Sequence, residues 1–197
     1  MLGFMVAYSR AMVSVKRWGR RIQDNVLHAP AGVLRRYNIS PHAVSMVSLF
    51  MVFVSAVLIY QHDKRYLVTL PAAILFDMLD GTLARLYPES EFGAFFDFLL
   101  DRFSDAILIL ALAMSGMMGY YFEIIFLFFY ALSTLFVKVL ESQNVKVYVL
   151  SFRTITVSAL FLQEVYPLAL WYISCGLLAS YVLTSIAALP KAVFRKK

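Results

Sequence analysis

The sequence has little of what covalent or soft-metal chemistry needs. One cysteine, Cys175, occurs among 197 residues, which excludes an internal disulfide and leaves cysteine-based zinc or redox chemistry without a ligand set. Charge is sparse at 15% of residues. No internal repeat, low-complexity tract or Pro/Gly/Ser-rich linker divides the chain, so a single domain is expected at this length. What fills the sequence is apolar: 61% hydrophobic residues and a mean hydropathy of +0.75 exceed what a water-soluble domain of this size can bury. The composition implies an all-α, polytopic membrane protein, since helices satisfy their own backbone hydrogen bonds in lipid.

A spanning helix needs about 20 mostly apolar residues. Six runs qualify: Pro41–Tyr60, Leu67–Leu86, Phe92–Gly116, Tyr120–Glu141, Val147–Glu164 and Pro167–Leu189. The start carries Arg10, Lys16 and Arg17 and lacks a small-residue cleavage site, which argues against a removable signal peptide. Between Met5 and Leu34, apolar residues such as Trp18, Ile22 and Val26 alternate with Arg20, Arg21 and other cations, the pattern of a juxtamembrane amphipathic helix lying in the interface. The expected organisation is an interfacial arm over residues 1–36 and a six-helix transmembrane catalytic domain over residues 37–197. In "ISPHAVS", Ser40 is placed to cap the helix that Pro41 begins.

Lysine and arginine set the orientation. The arm to Arg36 holds seven of them, and Lys191, Arg195, Lys196 and Lys197 close the chain, so both termini are expected in the cytoplasm of a cell-membrane protein. The third-to-fourth connection, "SGMMGYY", has no basic residue, as an outer loop should; Lys64 and Arg65 in the first outer loop dissent mildly. A net charge of +6 concentrated at helix ends points to anionic lipid headgroups as partners and away from nucleic acid.

Against this background the stretch "FDMLDGTLARLYPESEFGAFFDFLLD" stands out. Asp77 and Asp80 are three apart, and Asp97 and Asp101 four apart, so in helices each pair occupies one face on adjacent turns and the two pairs can converge. Pro88 and Gly93 suit the end of one helix and a close approach to the next. Four carboxylates crowded in a partly dry site repel one another unless a cation neutralises them. Hard oxygen ligands without His or Cys favour Mg²⁺, Mn²⁺ or Ca²⁺ over zinc, and magnesium usually shares a few carboxylates with substrate phosphates, which implies a diphosphate ligand. Gly81 would let such a ligand reach the backbone, Ala84 keeps the face shallow, and Arg85 can pair with a carboxylate or a phosphate.

Asp77-x2-Asp80-Gly81-x2-Ala84-Arg85 followed by Gly93-x3-Asp97-x3-Asp101 resembles the signature of the CDP-alcohol phosphotransferases, integral membrane enzymes of phospholipid synthesis. All eight signature positions are filled. The connection from Arg85 to Gly93 is somewhat shorter than the resemblance leads one to expect. The six-helix reading carries the likeness from about Ile39 to Leu189. The resemblance implies that Asp77, Asp80 and Asp97, with help from Asp101, hold a pair of Mg²⁺ or Mn²⁺ ions that grip the diphosphate of a CDP-linked lipid donor. It further implies that Asp77, Gly81, Ala84, Arg85 and Gly93 border the donor nucleotide, and that Asp101 is the general base for the acceptor hydroxyl as CMP leaves. Homodimers are common in the family, and one is expected here by analogy.

Lys138, Lys146 and Arg153 bracket the connection between spans four and five, on the side of the carboxylates. They are candidates for an acceptor phosphate, which favours a phosphorylated polyol, inositol phosphate ahead of glycerol phosphate, over an uncharged alcohol such as serine. A carboxylate-based ion or proton-coupled transporter is the competing class, but it gives no reason for the glycine and Ala-Arg positions. Asp105 continues the Asp97–Asp101 face and reads best as a polar contact between helices.

Overall fold

The computed structural model describes residues 23–88, 91–117, 119–142, 152–166 and 168–194. Every regular element among them is helical. Helix α1 covers residues 23–36, and it is followed by α2 (Pro41–Tyr60), α3 (Tyr66–Ala84), α4 (Glu91–Ser115), α5 (Tyr120–Ser142), α6 (Phe152–Gln163) and α7 (Ala169–Phe194). Helix α2 has the bounds of the first apolar run to the residue, and α3, α4 and α5 match the next three runs within two residues at each end. The fifth run was expected from Val147, and its first five residues lie outside the described ones. Helix α7 continues beyond Leu189, because hydropathy marks the apolar part of a helix whereas backbone hydrogen bonding decides where it stops. Among the described residues, α2 and α3 are long and apolar enough to cross a membrane. The arm before residue 23 lies outside the described residues, so its expected amphipathic character stands as a proposal.

Local chemistry explains the breaks. Ser40 accepts a hydrogen bond from the Ala43 amide at 3.3 Å, with Pro41 at the first helical position, as expected. Asn38, at φ 56, turns the chain from α1 into α2, a conformation that asparagine tolerates better than most residues. Between α2 and α3 the Arg65 guanidinium holds the Asp63 carboxylate at 2.6 Å, and this hydrogen bond keeps the Asp63 carboxyl below its usual range. Helix α3 ends in a tightened turn, with Leu86 N–H on Leu83 O at 2.9 Å and Tyr87 N–H on Ala84 O at 3.0 Å, one residue before Pro88.

The chain forms two compact units, one up to Ala111 and one from Leu112. In the first, α2 and α3 pack along a seam of small residues. Ser45, Ser48, Val52, Ser55, Ala56 and Ile59 are the buried stripe of α2, and Leu70, Ala73, Asp80 and Leu83 are buried on α3. Small side chains let two helices approach closely where lipid offers no hydrophobic drive for association. Hydroxyls then lock the register: Ser48 donates to Ala73 O at 2.9 Å, and the Ser55 and Thr69 hydroxyls meet at 2.7 Å. Helix α1 joins this unit through Ala31, which packs with Val44 and Leu83.

In the second unit α7 packs against both α5 and α6. Its centre is aromatic. Phe126 meets Tyr181 edge-on with ring centroids 5.7 Å apart and Phe152 at 5.4 Å, while Tyr130 meets Tyr181 at 5.5 Å. Large apolar side chains outside these cores, among them Phe50, Phe53, Val68, Phe103 and Phe128, are exposed, as lipid-facing surface requires.

Candidate active site

The carboxylates that the spacing singled out lie in the first unit, Asp77 and Asp80 on α3, Asp97 and Asp101 on α4. Asp80 is 4% exposed. Asp77, Asp97 and Asp101 all act electrostatically on it, and the Ser45 hydroxyl hydrogen-bonds its carboxylate. That hydroxyl donates to Pro41 O at 3.1 Å. Asp77 and Asp101 are half-buried and Asp97 is exposed. The four therefore grade from dry to wet. Among the described residues, no three His, Cys, Asp or Glu side chains already close on a point as a finished cage. The side chains present would nonetheless suit a hard divalent cation: the candidate donors are all carboxylate oxygens, and several acidic groups act on a buried one.

The intervening motif faces α1. A Cβ built on Gly81 would meet only Gln23 Nε2 at 3.8 Å and Arg85 Nη1 at 3.9 Å, which are ordinary contacts. Packing thus tolerates a methyl there, with the Gln23 and Arg85 side chains bordering Gly81. Ala84 and Arg85 are exposed. Arg85 forms an ion pair with Asp24 of α1 and also donates from Nη2 to Thr82 Oγ1 at 3.1 Å. Gln23 donates to Met78 O at 2.6 Å and Thr82 Oγ1 at 3.3 Å. Gly93 is half-buried near the start of α4.

Sequence reasoning missed Gln23, Asp24 and Ser45. Asp24 carried a signal, being the lone acid in an arm with seven cations. Ser45 had none beyond its place on the small-residue stripe. Asp105 is buried and pairs with Arg102 of its own helix at 3.6 Å. Of the acceptor candidates, Lys138 is exposed on α5, Arg153 is buried on α6, and Lys146 lies outside the described residues.

The chain thus carries paired aspartates on consecutive apolar helices, with Gly-x2-Ala-Arg between them. A family model described as CDP-alcohol phosphatidyltransferase matches residues 38–151, more than half of the chain. The chain belongs to this family. Its fold is similar to the crystal structure of Mycobacterium tuberculosis phosphatidylinositol phosphate synthase with CDP-DAG bound, with a TM-score of 0.72 and 20% identity over 90% of this chain and 99% of that one. A second crystal structure of that synthase, in complex with manganese and citrate, gives the same TM-score and identity over 86% of this chain and 92% of the other. At this identity the likeness carries the fold. An uncharacterized protein of Aquifex aeolicus (strain VF5) is 40% identical over 87 residues, and the match covers 43% of this chain and 44% of that protein's length.

Proposed function

We propose that the chain moves the phosphatidyl-type group of a CDP-linked lipid donor to the hydroxyl of a small polar acceptor and releases CMP. The observation that carries this reading is Asp80, buried, held by Ser45 and surrounded by the charges of Asp77, Asp97 and Asp101. Asp77, Asp80, Asp97 and Asp101 hold two Mg²⁺ or Mn²⁺ ions. When bound, such ions neutralise the diphosphate and stabilise charge on its attacking and leaving oxygens. The two crystal structures of the similar synthase, one with CDP-DAG bound and one in complex with manganese and citrate, support both the donor class and the metal class.

The chain's own groups do the rest. Gly81, Ala84 and Gly93 leave room beside the nucleotide, Asp77 reaches the donor end, and the Arg85 guanidinium supplies positive charge there. Asp101 takes the proton from the acceptor hydroxyl, whose oxygen forms a bond to the lipid-side phosphorus while the bond to the CMP oxygen breaks. The acceptor is a phosphorylated polyol, inositol phosphate ahead of glycerol phosphate, with Lys138, Lys146 and Arg153 providing charge for its phosphate. The protein spans the cell membrane six times with both termini and the site cytoplasmic, behind an interfacial arm over residues 1–36, and works as a homodimer.

Purified protein incubated with CDP-diacylglycerol, Mg²⁺ and a panel of alcohols should release CMP only when one particular acceptor is present. Release with serine and not with inositol phosphate or glycerol phosphate would overturn the acceptor assignment. Solute flux in liposomes with no CMP from any acceptor would overturn the transferase reading.

A further inference from the structure

We infer that α1 completes the donor site, with Asp24 as a positioning residue that aims the Arg85 guanidinium at the nucleotide end; this rests on the transferase reading above. Arg85 leans back toward Gly81, four residues earlier, so that Arg85 Nη1 and Gln23 Nε2 both border the position a Cβ on Gly81 would take. The other terminal nitrogen, Nη2, is the one that engages Asp24 and Thr82. A guanidinium is a rigid planar fork, so fixing Nη2 fixes where Nη1 points. Asp24 therefore engages the terminal nitrogen that does not border Gly81 and leaves Nη1 to a ligand there, which is the geometry of an orienting partner and not of a competitor for the same N–H groups.

Gln23 anchors the neighbouring turn. Its amide nitrogen bonds Met78 O and Thr82 Oγ1, both on α3, so the start of the described α1 is tied to the helix that carries Asp77, Asp80 and Gly81. Thr82 is buried and shared, accepting from Gln23 and from Arg85 while donating to Met78 O at 3.0 Å. One hydroxyl thus couples the anchor to the aimed arginine. Unfastened from α3, an exposed arginine would sample many rotamers, and ordering it would weaken donor binding.

The test is a double-mutant cycle on the full chain, reading CDP binding in Mg²⁺ by calorimetry together with donor KM, acceptor KM and kcat. Asp24→Asn should weaken CDP binding and raise donor KM about three- to five-fold, the range of a partly exposed ion pair, while acceptor KM and kcat stay within two-fold (~2). Asp24→Glu should restore binding, and Gln23→Leu should weaken it in the same direction. In an Arg85→Ala background Asp24→Asn should have no further effect. Wild-type binding of CDP with no change in Asp24→Asn, or an equal loss with and without Arg85, would overturn the inference and leave the transferase reading standing. A wild-type protein that neither binds CDP nor releases CMP would overturn both.

Discussion

At the scale of single residues, the site separates charge from water by degrees. Asp80 is enclosed beside Ser45, whereas Asp101 is only half-buried. This assigns them different losses. Asp101→Asn should reduce turnover by about 10²–10⁴-fold, the usual contribution of a positioned general base, with CDP binding in Mg²⁺ retained; lost CDP binding with normal turnover of the remaining complex would refute the base assignment. Asp80→Asn keeps the shape and takes a buried carboxyl away from beside three others. It should raise the thermal midpoint of the metal-free protein and abolish the further rise that Mg²⁺ gives the wild type by binding the folded state. Thermal unfolding with and without Mg²⁺ measures both.

At the scale of elements, the α2–α3 seam decides whether the two aspartates of α3 stand where α4 can meet them. Ser55 is fully buried and its hydroxyl meets Thr69, so the helices have no room for a larger side chain there. Ser55→Leu should cost about 1–3 kcal/mol through overpacking, and because the shift moves Asp77 and Asp80 together it should lower activity before the protein unfolds. Ser55→Ala loses one interhelical hydrogen bond, about 0.6 kcal/mol in a membrane protein, and should leave activity near wild type. Thermal inactivation and CMP release in the same detergent distinguish the two. Equal losses in both variants would mean that the hydroxyl, and not the close approach, sets the seam.

At the scale of the molecule, exposed aromatic and aliphatic side chains on α2 to α6 describe a protein that meets lipid over much of its surface. On the proposed site, built from acidic groups on α3 and α4, the whole activity should depend on divalent metal. Chelation with EDTA should abolish CMP release, and adding Mg²⁺ or Mn²⁺ should restore it, while Zn²⁺ should not, given an all-oxygen donor set. Reporters fused to each terminus should both report the cytoplasm, as the basic residues of the arm and of Lys191 to Lys197 require under the positive-inside rule. A periplasmic or external reading at either end would remove the six-span topology.

Much of this was legible in the residues themselves. Apolar runs of membrane length, a proline after Ser40 and aspartates at helical spacing state the helices, the entry to α2 and the two acidic faces, because each depends on local geometry that a few neighbouring residues fix. The partners of those faces were not legible. That Ser45 bonds Asp80, that Asp24 takes Arg85, and that Gln23 reaches Met78 are contacts across more than 30 residues of chain. Such contacts depend on which faces of α1, α2 and α3 meet, and no local preference encodes that. The sequence by itself determined that carboxylates would line helix faces within an apolar chain; only the packing of small residues along the seam decided which hydroxyl and which arm residues would stand beside them.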